Sequence, residues 1–509
     1  MHPLDARACR ARFYTALCDH TMNTSASASA GVPATAAKPS ARTRAVVPHL
    51  TVAERVARGK AARREVPRSS HSVLSSGPAR VDPVALLESQ SASRVADLIP
   101  IRYGRMLVSP FTFFRGAALV MASDLAGTPR SGLNVQLCGD AHLMNFGAFG
   151  SPERRMVFDI NDFDETAPGP FEWDVKRLAA SVEIAARDNG FSGKERSKVV
   201  LAAVESYRTS MAEFAEMTNL EVWYTALDVD AWLDQLGSDL GSKAIKRAEA
   251  TVAKARTKDS HQAYNKLTRL VDGEPVIISD PPLIEPVSDL FAPEEQQAVQ
   301  KSIHEMFVRY RESLQSDRRR LLEEFRIVDV ARKVVGVGSV GSRAWIVLLL
   351  GRDGDDPLFL QAKEAQASVL TAFVGPKRRV ANGKRVVEGQ HLMQATSDIF
   401  LGYTSVVGTD DVKRDYYFRQ LRDWKGSAVV EEMNADGLAV YAGVCGKALA
   451  RAHARSGDRV AIASYLGSGQ AFDKAVAEFA DLYADQNERD YNALLAAEAD
   501  GRIEVRRGL

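Results

Sequence analysis

The stretch Gly139-Asp140-Ala141-His142-Leu143-Met144-Asn145 carries an aspartate and an asparagine five positions apart, on what reads as a turn after a short strand. A second acidic turn, Asp159-Ile160-Asn161-Asp162-Phe163-Asp164-Glu165, follows another strand. Carboxylates in loops at strand ends are where hard metal ions and reacting hydroxyls are commonly met. An Asp and an Asn so spaced can set a general base beside a metal ligand, and an Asp from the next strand can complete the oxygen shell. Turn formation and helix capping are the competing use of the same residue types.

A third constellation is Gly336-Val337-Gly338-Ser339-Val340-Gly341, which stands between two apolar runs rather than between a strand and a helix. That context predicts a β-hairpin whose glycine turn lets backbone N–H groups approach phosphate oxygens. Lys363 then ends an apolar strand, and Glu388 opens a helical segment downstream. Paired across a cleft, Lys363 and Glu388 would hold nucleotide phosphates as a lysine–glutamate ion pair does.

These residues need a scaffold, and the chain is long enough to supply two or three lobes at 509 residues. Lys+Arg (66) and Asp+Glu (65) nearly cancel, so no global field would gather nucleic acid or an anionic membrane. Cys9, Cys18, Cys138 and Cys445 form no C-x-x-C pair, which argues against a disulfide framework or a cysteine zinc site and suits a reducing cytoplasm. No apolar run is long enough to span a bilayer, and no secretory signal is read. Residues 1–45, rich in Ala, Ser and Thr, are expected to be disordered. A basic helical lead-in is expected over 46–81, its cations forming a solvated face. Residues 82–325 read as helical, with one helix over 111–125, strands over 133–138 and Met156–Ile160, a loop over 166–170, and a helix from Trp173 to Asn189-Gly190. Apart from a loop at Asp280-Pro281-Pro282, 195–325 is expected to be helix throughout. A strand-rich segment follows over 326–428, with strands at 328–337, Ala344–Leu350, 358–362 and 416–421. Helix returns over 429–509.

With these residues in hand, Gly139 to Asn145, Asp162-Phe163 and Trp173-Asp174 together resemble the catalytic region of aminoglycoside- and choline-type small-molecule kinases. From about residue 50 onward the chain also resembles an uncharacterised bacterial family, domain of unknown function 2252. Ile101-Arg102-Tyr103-Gly104-Arg105-Met106, Gly139 to Gly147, Phe158 to Glu165, Gly336 to Gly341 and Arg419-Gln420-Leu421-Arg422-Asp423 carry that likeness. The kinase resemblance implies an α+β, bilobal fold with ATP and Mg²⁺ (or Mn²⁺) as cofactors. It implies Asp140 as the catalytic aspartate, Asn145 and Asp162 as metal ligands with Asp164 as the other choice, and Asp174 and His142 as supporting residues. Gly336, Gly338, Ser339, Gly341, Lys363, Glu388, Gln420 and Leu421 would bind the nucleotide. In ordinary kinases the glycine loop and lysine come first; here they follow the catalytic loop. The implied fold is therefore circularly permuted, with a helical large lobe from 82–325 and 429–509 and a small antiparallel-sheet lobe from 326–428.

The function this implies is phosphoryl transfer from ATP to a small-molecule or protein acceptor. Nucleotidyl (AMP) transfer, a non-catalytic pseudokinase scaffold and a metal-dependent phosphoesterase built on the Asp140-Ala141-His142 pattern are the alternatives. No membrane or nucleic-acid partner is expected. Arg102, Arg105 and Arg115 are candidates to attract an anionic substrate.

Overall fold

The computed structural model describes residues 49–74, 80–236, 242–374, 380–408 and 410–509. Leu50–Leu509 form one compact unit. The tail over 1–45, the start of the basic lead-in and residues 75–79 lie outside the described residues.

Helix Phe171–Asp188 is buried from Phe171 through Ala186, so it has no solvent face and forms the centre of the helical layer. Helices Gly193–Glu216, Ala435–Ser456 and Ala471–Ala499 surround it. Gly446 allows a close crossing: a Cβ there would lie 2.2 Å from the Ala203 carbonyl oxygen. Helix Val52–Glu65 starts at a capping box between Thr51 and Glu54. The basic lead-in is not simply solvated, because Arg63 and Arg68 donate to the carbonyls of Tyr465 and Leu466 at the end of helix Arg459–Leu466, where cations are favoured.

Two short antiparallel ribbons sit beside these helices. Strand β1 (Asn134–Leu137) pairs with β4 (Ala167–Pro170), and β2 (Phe146–Gly150) pairs with β3 (Met156–Ile160). Hairpin β5 (Thr268–Val271) and β6 (Glu274–Ile277) follows. The main sheet comprises β7 (Ile284–Pro286), β8 (Arg326–Lys333), β9 (Ala344–Leu350), β10 (Pro357–Glu364), β11 (Gly402–Val407) and β12 (Lys413–Gln420). Its order is β11-β12-β10-β9-β8-β7, antiparallel throughout. Helix Pro293–Glu312 covers one face, packing Met306, Phe307 and Tyr310 on Val347, Leu349 and Leu360. Helix Ser260–Leu267 covers the other, with Ala263 and Leu267 against Ile346, Leu348 and Phe359. Burial on both faces explains why β9 reads as an unbroken apolar run. Helices (54% of the described residues) together with an antiparallel main sheet (16% in all strands) make the chain α+β.

Several local expectations are corrected. The helix over 111–125 is two helices, Pro110–Gly116 and Ala118–Ala126, broken at Ala117 (φ −107°, ψ 34°). A Cβ at Gly116 would meet the flexible Met106 side chain at 2.7 Å, which would have to shift to admit it. The supposed loop over 166–170 is β4, an extended segment held by β1. The stretch 195–325 is not wholly helical: it contains β5, β6 and β7. The β5–β6 turn at Asp272-Gly273 has positive φ at both positions (51° and 86°), the geometry that such a dipeptide favours. Strand β8 stops at Lys333, short of 337, and the helix expected to open at Glu388 spans Asn382–Met393.

Candidate functional site

Strand β1 delivers the first acidic turn, and helix Phe171–Asp188 fixes its shape. Gly139 has φ +88°, and a Cβ there would lie 2.2 Å from the Glu165 carbonyl oxygen, so the turn requires glycine. Asp174, in the helix's first turn, accepts the N–H groups of Cys138 (2.8 Å) and Gly139 (3.0 Å) and meets His453 Nε2 at 3.2 Å. It is 1% exposed, so this carboxylate serves the loop rather than solvent.

Asp140 accepts from Arg177 Nε at 2.9 Å and Nη2 at 2.8 Å. Burial pushes the Asp140 carboxyl up to about 6, against the opposing charge of Arg177. His142 lies 3.8 Å from Asp140. Burial, helped by the charges of Arg115 and Arg177, holds its imidazole well below the ordinary value, so it is neutral. Asn145 donates through Nδ2 to the Asp140 carbonyl (2.8 Å). Its Oδ1 accepts nothing among the described residues.

The second acidic turn divides its carboxylates between two tasks. Asp159 points away: it binds Arg451 at 2.7 Å and the Ala395 N–H at 3.0 Å, which makes it structural. Asp162 accepts the Asp164 N–H (3.0 Å) and lies 3.7 Å from Lys363 Nζ. Burial favours the protonated acid, but Lys363 and Arg419 outweigh it and hold Asp162 below the usual carboxylate range. Asp164 forms an ion pair with Lys363 and accepts from Tyr417 Oη at 2.7 Å. Lys363 is 2% exposed. Burial opposes its charge, yet Asp162 and Asp164 keep the ammonium above its ordinary value. Glu165, pushed up to about 7 chiefly by burial, accepts the Val369 N–H.

The glycine-rich loop joins β8 to β9 as a hairpin. Gly336 (φ +64°) and Gly341 (φ +87°) both need glycine's left-handed range. Arg105 donates to the Gly336 carbonyl (2.6 Å), and the Val95 N–H to that of Gly341 (2.8 Å), which ties the loop to the helical layer. The N–H groups of Gly338 and Ser339 have no acceptor among the described residues.

A cleft of about 1070 Å³ separates this loop from the acidic turns. Asp140, His142, Asn145, Asp162 and Asp164 line one side, and Gly336, Gly338 and Ser339 the other. Lys363 backs it through its carboxylate partners. Gly341 packs on the Arg94 side chain instead of lining the cleft. The expected Lys363–Glu388 pair does not form. Val386, Val387, Gln390 and Met393 bury the other face of their helix, which leaves Glu388 60% exposed beside Lys384 at 3.5 Å. Gln420 and Leu421 do not border the cleft either. The Gln420 N–H donates to Asp398, and the Leu421 N–H to the Phe359 carbonyl (2.9 Å). The opposite end of β12, from Lys413 to Asp415, is the end that reaches the cleft.

The sequence reading named Glu165 within its acidic turn without giving it a role, and it overlooked Arg177 and Tyr417. Arg177 was within reach: it lies three residues after Asp174, on the same face of a helix. Among the described residues no three His, Cys, Asp or Glu side chains are grouped to hold a metal ion alone. Magnesium needs only one or two carboxylates when phosphates and water complete its shell, so the oxygens of Asn145 and Asp162 fit such an ion. No helix among the described residues is long and apolar enough to cross a membrane.

Fold and site thus define an α+β protein that has, among the described residues, a large cleft lined with charged side chains between paired acidic turns and a glycine-rich hairpin. The family model described as an uncharacterized protein conserved in bacteria, DUF2252, matches residues 94–497, and the chain belongs to this family. No curated protein and no solved structure matches it.

Proposed function

We propose that the chain is an ATP-dependent phosphotransferase of kinase-like, circularly permuted architecture. In this reading it works with Mg²⁺ or Mn²⁺ in the cytoplasm, on a small-molecule or protein acceptor. One observation carries the reading: a single cleft gathers the Asp140 and Asp162 turns and the glycine-rich hairpin, with Lys363 reaching Asp164 across 199 positions of sequence. The helices around Phe171–Asp188 would form the large lobe, and the main sheet with its covering helices Ser260–Leu267 and Pro293–Glu312 the small one.

Asp140, oriented by Arg177 and ionised above about pH 6, accepts the proton of an acceptor hydroxyl. The acceptor oxygen bonds to the γ-phosphorus as the bond from that phosphorus to ADP breaks. The free N–H groups of Gly338 and Ser339 receive phosphate oxygens, and Lys363 supplies positive charge behind them. Asn145 and Asp162 would hold the divalent ion, which when bound neutralises phosphate charge.

The test is a melting-temperature titration with Mg²⁺–ATP. At one hundred times its dissociation constant a ligand stabilises the native state by about 2.7 kcal/mol. Wild type and Asp140→Ala should shift and Asp162→Ala should not. No shift of wild type with any nucleotide and either metal refutes the proposal.

Nucleotidyl transfer is a second reading, favoured by the cleft's position at the Lys413–Asp415 end of β12, away from Gln420 and Leu421. A nucleotide seated in the reverse sense would present its α-phosphate to Asp140. Label transfer from α- rather than γ-labelled ATP would establish it.

A further inference from the structure

Arg115 lies in the last turn of helix Pro110–Gly116 and lines the cleft. Its backbone is held between the two halves of the site. A Cβ on Gly338 would approach the Arg115 carbonyl oxygen at 3.2 Å. The carbonyl of its neighbour Phe114 accepts from Arg177 Nη2 (2.8 Å), the arginine that also grips Asp140. The Arg115 side chain has no such anchorage. Its Nε is buried without a hydrogen-bond partner, and its guanidinium forms no hydrogen bond or ion pair among the described residues.

The other arginines around the cleft have partners. Arg343 and Arg414 pair with Glu364, and Arg94 donates to the Val340 carbonyl. Asp140 and Glu431 lend Arg115 favourable charge, but neither is bonded to it. A guanidinium cannot give up its proton at any working pH. A half-buried cation with an orphaned donor is costly to keep, and five N–H groups in a planar fork are matched by an oxyanion.

We propose that Arg115 is the site's oxyanion-binding residue and that it receives the terminal phosphate of ATP between the glycine-rich loop and Asp140. This rests on the nucleotide reading above and adds to it a residue outside the resemblance to kinases. A cation there opposes the charge that gathers on the transferring phosphoryl group.

The experiment measures Mg²⁺–ATP and Mg²⁺–ADP binding by calorimetry to wild type, Arg115→Ala and Arg115→Lys. Arg115→Ala should weaken ATP at least tenfold and leave ADP within twofold, and Arg115→Lys should recover part of the loss. The unliganded Arg115→Ala protein should melt at or above the wild-type temperature, because an unsatisfied donor has been removed. Equal weakening of ATP and ADP, or no change in either, overturns the assignment while the nucleotide reading survives. Wild type binding neither nucleotide overturns both.

Discussion

Replacing Asp174 by alanine tests whether the Asp140 turn is held from behind, as the geometry says. The carboxylate satisfies two buried N–H groups, those of Cys138 and Gly139, at 2.8 and 3.0 Å. Each orphaned donor costs about 1–3 kcal/mol, so Asp174→Ala should destabilise the turn by about 2–6 kcal/mol. That is a large share of the roughly 5–15 kcal/mol that holds a typical domain together. Since about 1.4 kcal/mol is a tenfold change in an equilibrium, amide exchange at these two N–H groups should quicken roughly thirty-fold to twenty-thousand-fold. Asp174→Asn keeps one carbonyl-type acceptor and should lose about half as much in free energy. Hydrogen-exchange mass spectrometry on peptides covering the turn, with global melting as control, reads both. Exchange within threefold of wild type in Asp174→Ala would show that something else holds the turn.

On the proposed function, turnover should fall tenfold per unit below about pH 6, where Asp140 gains its proton. The stability sign runs the opposite way. The folded carboxyl keeps a proton between its ordinary 3.8 and about 6 that the unfolded chain has lost, so the Asp140 contribution fades as pH rises through that window. The stability of Asp140→Asn relative to wild type should therefore grow from pH 4 to 6 and level off above 7, as followed by urea denaturation. On the proposed reading, Lys363→Met should abolish nucleotide-dependent stabilisation and Glu388→Ala should leave it unchanged, because Glu388 faces solvent; loss in both variants would restore the pairing that the sequence suggested.

What the sequence made legible was chemistry close to chain order. The two acidic turns each follow a strand, and the run from Ala344 to Leu350 marks a strand buried on both faces. What stayed hidden depends on partners far away. Helix Asn382–Met393 has no side-chain cap of its own: Asp415, 33 positions on, accepts the Asn382 N–H. With its start invisible, the burial of Val386 and Val387 could not be used to turn Glu388 outward. Strand β4 is the sequence Ala-Pro-Gly-Pro, which carries no strand propensity and exists because β1 lies beside it. The Asp272-Gly273 turn is the exception, a local signal that was present and passed over. At the site, Asp162 could be favoured over Asp159 only through its neighbour Phe163; the distinction itself lies in Arg451, which occupies Asp159 from the far end of the chain.

That last ion pair has a consequence in time. Asp159 and Arg451 stand 292 positions apart and are both buried. Ribosomes add about 5–20 residues per second, so the carboxylate waits roughly a quarter to one minute for its partner. A buried carboxylate stripped of its partner is strongly destabilising, by about 3–5 kcal/mol. The turn that begins at Asp159 therefore has reason to stay open in the nascent chain, and with it the cleft. On the proposed reading, nucleotide would meet a finished site only once Arg451 has been made and paired.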